Sequence, residues 1–146
     1  VPNLNNYIDN EYGVFFELIN IIFEKTLSLN DSQDIFYFRH LINCLFFFIA
    51  SIYFYYTLNL FYSKNISILG FLLFVLHPRI FAQSFYNSKD IIFLVFFCIS
   101  NFYFIKFFIS KRIKFLFLLS LVIGLTIGIR VMGIIIPCLL TFFYII

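Results

Sequence analysis

Several side chains that could carry out chemistry lie together between His77 and Asp90. The segment lies between two apolar runs, 66–76 and 91–109, which hold almost no ionisable residues. A helix that starts at Pro78 is allowed, because proline lacks only an N–H that has no partner in the first turn. Such a helix would align one polar stripe, made of Arg79, Gln83, Tyr86, Asn87 and Asp90. The stripe is either a juxtamembrane face whose cations extend to water or the wall of an active site.

Three further charged residues lie outside this segment and could act with it. Asp9 and Glu11 lie in a polar N-terminal loop, next to Tyr12, and Arg130 separates two apolar runs. A carboxylate can take a proton from an acceptor hydroxyl, and a cation can hold a phosphate as it leaves. Each residue also has a simpler explanation: a solvated loop charge, an acid at a helix N-terminus for Asp90, or an interfacial arginine for Arg130.

The composition places the chain in a membrane. Hydrophobic residues make up 63% of the 146 residues and charged residues 12%, whereas soluble domains have about 25% charged residues. The three cysteines lie far apart in apolar runs and are interpreted as packing residues. The sequence contains no glycine-rich phosphate loop, no nucleophile elbow and no His/Cys cluster with metal-binding spacing. No metal ligand is therefore assigned, and nucleic acid is not expected as a partner.

The pattern of apolar runs predicts an all-α, polytopic transmembrane helical bundle. Polar residues at spacings of three and four predict an amphipathic interfacial helix over 14–29, within an outer loop formed by residues 1–40. About five transmembrane helices are expected over 41–146. The run 66–77 is short, so its helix either continues through Pro78 or stops beside a pocket. The runs 115–129 and 131–146 favour a pair of helices with Arg130 at the turn over one long span.

Charge predicts how the bundle is oriented. With alternating spans all seven acids fall on one side, and the opposite side carries a set of basic residues: Lys64, Lys106, Lys111, Arg112 and Lys114. The basic side is expected to be cytoplasmic. The protein would then be a multi-pass protein of the cell or inner membrane, if bacterial, with its chemistry on the non-cytoplasmic face.

Four motifs carry a resemblance to a known family. They are Asp9-x-x-Tyr12-Gly13-Val-Phe-Phe-Glu17, then Phe38-Arg39-His40-Leu41, then the run His77–Asp90, and finally Gly128-Ile129-Arg130-Val131-Met132-Gly133. Together they resemble the multi-spanning GT-C glycosyltransferases. Within these they are most similar to the bacterial family 39 branch, which is related to dolichyl-phosphate-mannose protein mannosyltransferases and lipid A aminoarabinose transferases. The Pro-Arg-x-Phe…Asn-x-Lys-Asp run is the most specific of the four.

The resemblance implies an inverting transfer of a sugar from a polyprenyl-phosphate donor to a lipid, glycan or protein acceptor on the outer face. It makes Asp9 the candidate base, with Glu11 second. It leaves open whether a divalent metal is a cofactor. Asp90 joins them as a catalytic candidate. The candidates for binding substrate are Arg79, Lys89, Arg130, Tyr12 and Asn87. Because Asp9 and Glu11 are not the adjacent acid pair of the family, a base upstream of Val1 stays an alternative.

The same resemblance implies that residues 1–146 form one membrane domain, the N-terminal part of a larger glycosyltransferase. Two other classes stay open: a transporter or flippase-like carrier, and a non-catalytic membrane subunit. A carrier would be expected to place charges within its spans, whereas here they concentrate in the loops. Membrane lipids are expected partners in every case.

Overall fold

The computed structural model describes residues 15–28 and 31–145, with side chains up to residue 142. All elements of this part are helices. They are α1 (Phe15–Thr26), α2 (Ser32–Leu58), α3 (Lys64–Val75), α4 (Pro78–Tyr86), α5 (Ser88–Ser110), α6 (Ile113–Ile129), a short 3-10 helix (Val131–Ile134) and α7 (Ile135–Ile145). The predicted all-α membrane fold is confirmed.

Two of the described helices are long and apolar enough to cross a membrane. They are α2, with 27 residues, and α5, with 23 residues. At about 1.5 Å per residue both exceed the roughly 30 Å of a hydrocarbon core. Helices α3 and α4 would make a third span if they are counted as one bent segment, and α6 and the 131–142 segment are shorter apolar helices. The chain is an integral membrane protein, and the expected number of about five spans stays a prediction.

The chain bends at Pro78 and changes helix again at Asn87. Helix α3 stops before His77, and α4 starts at Pro78 after a bend of 58°, because the residue before a proline disfavours helical backbone. Helix α4 then ends at Tyr86, and Asn87 leaves helical geometry to cap α5. The prediction of one helix carrying a stripe from Arg79 to Asp90 is therefore wrong, since the stripe is divided between two helices.

Helix α5 lies at the centre of the bundle, parallel to α2 and antiparallel to α6. At one end Ile42 and Ile92 share a hydrophobic cluster with Ile129, while further along α2 the ring of Tyr53 lies 5.4 Å from that of Phe102. A parallel pair needs a long connection between its helices, and α3 and α4 supply it. The starts of α2 and α5 consequently lie at the same end of the bundle.

This arrangement places the described acids at one end of the bundle, while basic residues lie at both ends. The starts of α2 and α5 carry Asp31, Asp34 and Asp90 at what we call the acidic end. The start of α3 and the α5–α6 turn lie at the opposite, basic end, which carries Lys64, Lys106, Lys111, Arg112 and Lys114.

Helix α1 packs antiparallel against the first half of α2. The rings of Phe16 and Phe46 lie 5.7 Å apart, and those of Phe23 and Phe38 lie 6.3 Å apart. Between these contacts Asn20 is buried, and its side-chain oxygen has no hydrogen-bond partner among the described residues. Several apolar side chains of α1 stay exposed, among them Leu18, Ile22 and Phe23, as expected of a helix that lies in a membrane interface.

Candidate active site

The first turn of α5 is built around Asn87. Its side-chain oxygen accepts a hydrogen bond from the backbone N–H of Asp90 at 3.0 Å, and its side-chain nitrogen donates to Asp90 Oδ2 at 2.8 Å. The first bond pairs an N–H that the start of a helix would leave without a partner. The second fixes the Asp90 carboxylate at the positive end of the helix dipole, where a negative charge is stabilised.

Arg130 approaches this turn from a break between α6 and the 3-10 helix. Its backbone is extended (φ −149°, ψ 128°), and its carbonyl accepts a hydrogen bond from the N–H of Gly133 at 2.8 Å. A Cβ atom at Gly133 would lie 2.9 Å from backbone atoms of Thr126 and Ile127. Only glycine therefore lets the 3-10 helix fold back so closely onto the end of α6. The prediction of two helices with Arg130 at the turn is confirmed.

Arg130 and Asp90 form an ion pair across 40 residues of sequence. The Nη1 group of Arg130 donates to Asp90 Oδ1, while Asp90 Oδ2 holds the amide of Asn87. The Arg130 side chain is 29% exposed and that of Asp90 48% exposed. Both carboxylate oxygens are thus engaged, and the guanidinium is held in place at the surface of the acidic end.

Two clefts meet at Arg130. The larger, which we call the Arg130 cleft, has a volume of about 400 Å³ and is bordered by Ile80 and Gln83 of α4 and by Asp90 and Phe97 of α5. A smaller cleft of about 200 Å³ lies between the same face of α5 and the start of α7. Both have apolar walls that include Phe93 and Phe97, with Arg130 as the shared cation. A cation at the head of an apolar groove suits an anionic group attached to a hydrocarbon chain.

The structure brings three of the predicted residues together, namely Asn87, Asp90 and Arg130. Arg79 lies exposed in the first turn of α4, and Lys89 is half-buried beside Asp90; neither is among the residues that border the two clefts. The other three predicted residues, Asp9, Glu11 and Tyr12, lie outside the described residues.

The described residues do not supply a metal site. Within residues 15–28 and 31–142 no group of three or more His, Cys, Asp or Glu side chains could hold a metal ion. The one acid at the Arg130 cleft, Asp90, has its oxygens committed to Arg130 and Asn87.

Sequence reasoning missed two residues whose contacts hold helices together around the site. His40 of α2 donates from Nδ1 to the carbonyl of Phe85, and its ring lies 5.1 Å from that of Tyr86, which attaches α4 to α2. Arg39 binds Glu24 at 2.7 Å and Glu17 at 3.1 Å, which attaches α1 to α2. The adjacent Arg-His pair was visible in the sequence, but its partners lie on other helices. Gln83 was placed on the polar stripe but not in the predicted site.

Comparison with known proteins identifies the family. No curated protein and no solved structure gives a significant match to the chain. One family model does match, that of dolichyl-phosphate-mannose-protein mannosyltransferases, over residues 29–146. The matched region holds α2 to α7 and therefore both partners of the Arg130–Asp90 pair. It covers most of the sequence and agrees with the resemblance seen in the motifs, so the chain belongs to the dolichyl-phosphate-mannose-protein mannosyltransferase family.

Proposed function

We propose that the chain is part of a membrane glycosyltransferase that moves a sugar from a polyprenyl-phosphate donor to an acceptor hydroxyl with inversion at the anomeric carbon. The observation that carries this proposal is the fixed guanidinium of Arg130 at the head of an apolar cleft. A polyprenyl-phospho-sugar has the complementary chemistry, because it joins a phosphate to a long hydrocarbon chain. The family match supports the use of a lipid-linked sugar.

In the proposed reaction a base removes the proton of the acceptor hydroxyl. The hydroxyl oxygen then attacks the anomeric carbon from the side opposite the phosphate, and a new C–O bond forms as the bond to the phosphate oxygen breaks. The electron pair of the broken bond stays on the polyprenyl phosphate. Arg130 stabilises that developing charge, as cations do for transferring groups in water-poor sites.

The charged residues divide these tasks. Asp9 is the proposed base and Glu11 the second choice, while Tyr12 would contact the substrate beside them. Arg79 and Lys89 would add positive charge near the donor phosphate at the acidic end. Asp90 was predicted as a catalytic residue, but its two engaged oxygens suit it better to hold Arg130 in place. By fixing Asp90, Asn87 would position both Asp90 and Arg130.

The acidic end would face away from the cytoplasm. The opposite end of the described bundle carries Lys64 and the basic residues around the α5–α6 turn and no described acid, and short cytoplasmic loops of membrane proteins are rich in Lys and Arg. A donor and an acceptor would then meet on the outer face of the membrane, which is the cell or inner membrane if the source is bacterial. Accessibility of single introduced cysteines at Tyr86 and Ile113 to an impermeant thiol reagent would report the orientation of the two ends.

The experiment that tests the function is transfer by the full-length protein in liposomes, using a panel of labelled polyprenyl-phospho-sugars and candidate acceptors. Label should move from at least one donor to a lipid, glycan or protein acceptor. Asp9→Asn should abolish this transfer while the protein still accumulates in the membrane. Transport of the donor across the bilayer without transfer would instead support a carrier, and an unchanged rate in Asp9→Asn would remove Asp9 from the mechanism.

A further inference from the structure

A third cleft lies at the basic end, far along α5 from Arg130. It has a volume of about 390 Å³ and lies between the last turns of α5, the first half of α6 and α7. Its walls include Phe104 and Phe107 of α5, Leu119 and Ile123 of α6, and Leu140 of α7. We call it the basic-end cleft. Its volume falls within the range of small-molecule sites, which is about 300–1,000 Å³.

The polar groups in this cleft already have partners. The hydroxyl of Ser120 donates to the carbonyl of Phe117 at 2.8 Å, and that of Thr141 donates to the carbonyl of Pro137 at 2.8 Å. Both bonds are formed within a single helix. The described lining therefore presents hydrocarbon to an occupant, and an acyl chain suits it better than a polar molecule does.

Positive charge lies beside the cleft, around the turn that joins α5 to α6. The N–H of Lys111 donates to the carbonyl of cleft-lining Phe107 at 2.7 Å, and the left-handed backbone of Lys111 ends α5. Arg112 lies in the tight turn to α6 and Lys114 in the first turn of α6, and both are exposed. The ammonium groups of Lys111 and Lys114 lie 4.3 and 5.0 Å from the ring centroids of Phe108 and Phe115, next to the cleft-lining residues Phe107 and Leu116. No acidic residue follows Asp90 in the sequence, so this turn has a net positive charge that attracts an anion.

We propose that the basic-end cleft and the α5–α6 turn form a binding site for an anionic membrane phospholipid. One acyl chain lies in the cleft, and the headgroup phosphate lies on the turn near Lys111, Arg112 and Lys114. Basic pockets between transmembrane helices bind anionic headgroups in this way. The preference of basic loops for the cytoplasm accounts for the charges, but it does not account for an apolar cleft that opens beside them. The proposal is independent of the donor site, which lies at the other end of the bundle.

The test measures lipid binding to the purified full-length protein in a neutral detergent. Dioleoylphosphatidylglycerol is compared with dioleoylphosphatidylcholine by native mass spectrometry and by the heat stability of the complex. Ile123→Trp fills the cleft, and Leu121→Trp is its matched control because Leu121 is 49% exposed on the same helix and does not line the cleft. Arg112→Gln removes one charge from the turn, and Lys64→Gln removes one charge elsewhere at the basic end.

The proposal predicts selective binding of phosphatidylglycerol, its loss in Ile123→Trp and its persistence in Leu121→Trp. Arg112→Gln should weaken binding about fivefold, the usual effect of one basic residue near an anionic headgroup, whereas Lys64→Gln should not. Arg112→Gln also keeps the test valid if Ile123→Trp does not fold.

Three results would overturn the proposal. Equal binding of the two lipids would show that the turn does not select charge. Unchanged binding in both Ile123→Trp and Arg112→Gln would place the lipid elsewhere. Displacement of phosphatidylglycerol by a stoichiometric amount of polyprenyl phosphate would assign the cleft to the donor chain.

Discussion

Replacing Gly133 by alanine should damage both the stability of the protein and the position of Arg130. The added Cβ atom would lie 2.9 Å from three backbone atoms, the nitrogen of Ile127 and the carbonyl carbon and oxygen of Thr126. Non-bonded heavy atoms prefer separations of about 3.5–4.0 Å, so the two backbone segments must move apart by at least about 0.6 Å. Overpacking of this kind costs about 1–3 kcal/mol.

The same shift should lower activity. The N–H of Gly133 donates to the carbonyl of Arg130 at 2.8 Å, so a moved 3-10 helix takes Arg130 with it. Misplacement of a reacting group by 1 Å can cost about a hundredfold in rate, and we expect Gly133→Ala to lose at least about tenfold in sugar transfer. The assay combines heat-induced aggregation in detergent with transfer from a labelled polyprenyl-phospho-sugar in liposomes.

Gly124→Ala is the matched control for this prediction. A Cβ atom at Gly124 meets nothing within 4 Å, and the residue lies inside α6. Alanine is favoured over glycine in a helix by roughly 0.5–1 kcal/mol, so this variant should be equally or more stable and fully active. Equal stability and equal activity of Gly133→Ala and Gly124→Ala would refute the argument from close packing.

Substitutions at three further residues test individual contacts by the same heat-stability measurement in detergent. Asn87→Ala removes the cap of α5 and the amide that holds Asp90, and should lower stability by about 1 kcal/mol. Asn87→Ser, which keeps an uncharged N-cap acceptor, should recover part of the loss, and no difference between the two would count against the cap. Arg39→Gln breaks the ion pairs that link α1 to α2. It should lower stability by about 1 kcal/mol and speed proteolysis within α1. Proteolysis at the wild-type rate would contradict this prediction. Asn43 is buried, and neither polar atom of its side chain has a hydrogen-bond partner in the described structure. Asn43→Leu should therefore raise stability by about 1 kcal/mol or more. A destabilised variant would show that the amide has a partner.

Much of the fold could be predicted because the membrane imposes a simple pattern. Long apolar runs predicted α2 and α5, and the charge of Arg130 predicted the break after α6. The polar run 30–34 also predicted side-chain caps for the next helix, and Asp31 does cap α2 by accepting a bond from the N–H of Gln33 at 3.1 Å. Helix α2 therefore begins at Ser32, well before the apolar span that was expected to start at Leu41. Capping residues mark where a helix begins, whereas apolar residues mark where its membrane-spanning part begins.

The stripe from Arg79 to Asp90 shows why periodicity was insufficient at the site. Spacings of three and four residues look the same whether a helix continues or a new one starts, and Asn87 is polar in either case. It caps α5 through the backbone N–H of Asp90 and also donates to the Asp90 carboxylate, which binds Arg130, 40 residues later. The sequence placed these charges on one face of the membrane, but their pairing depends on how α5 and α6 pack.

Glu17 and Glu24 of α1 show the same limit of reasoning from periodicity. Their spacing indicated the solvated face of an interfacial helix, yet both bind Arg39 of α2, and the Glu24 side chain is only 14% exposed. Spacing along one helix shows which residues share a face. It does not show which neighbouring helix covers that face.

The most direct test of the central claim is the effect of Arg130→Gln on the KM for the polyprenyl-phospho-sugar donor. Loss of a charge-assisted contact to the phosphate should raise that KM at least about tenfold, and Arg130→Lys should recover part of the effect because it restores the charge. Lys64→Gln, which removes a charge at the opposite end, should leave the KM unchanged. A donor KM in Arg130→Gln equal to that of the wild type would contradict the assignment of the Arg130 cleft as the donor site.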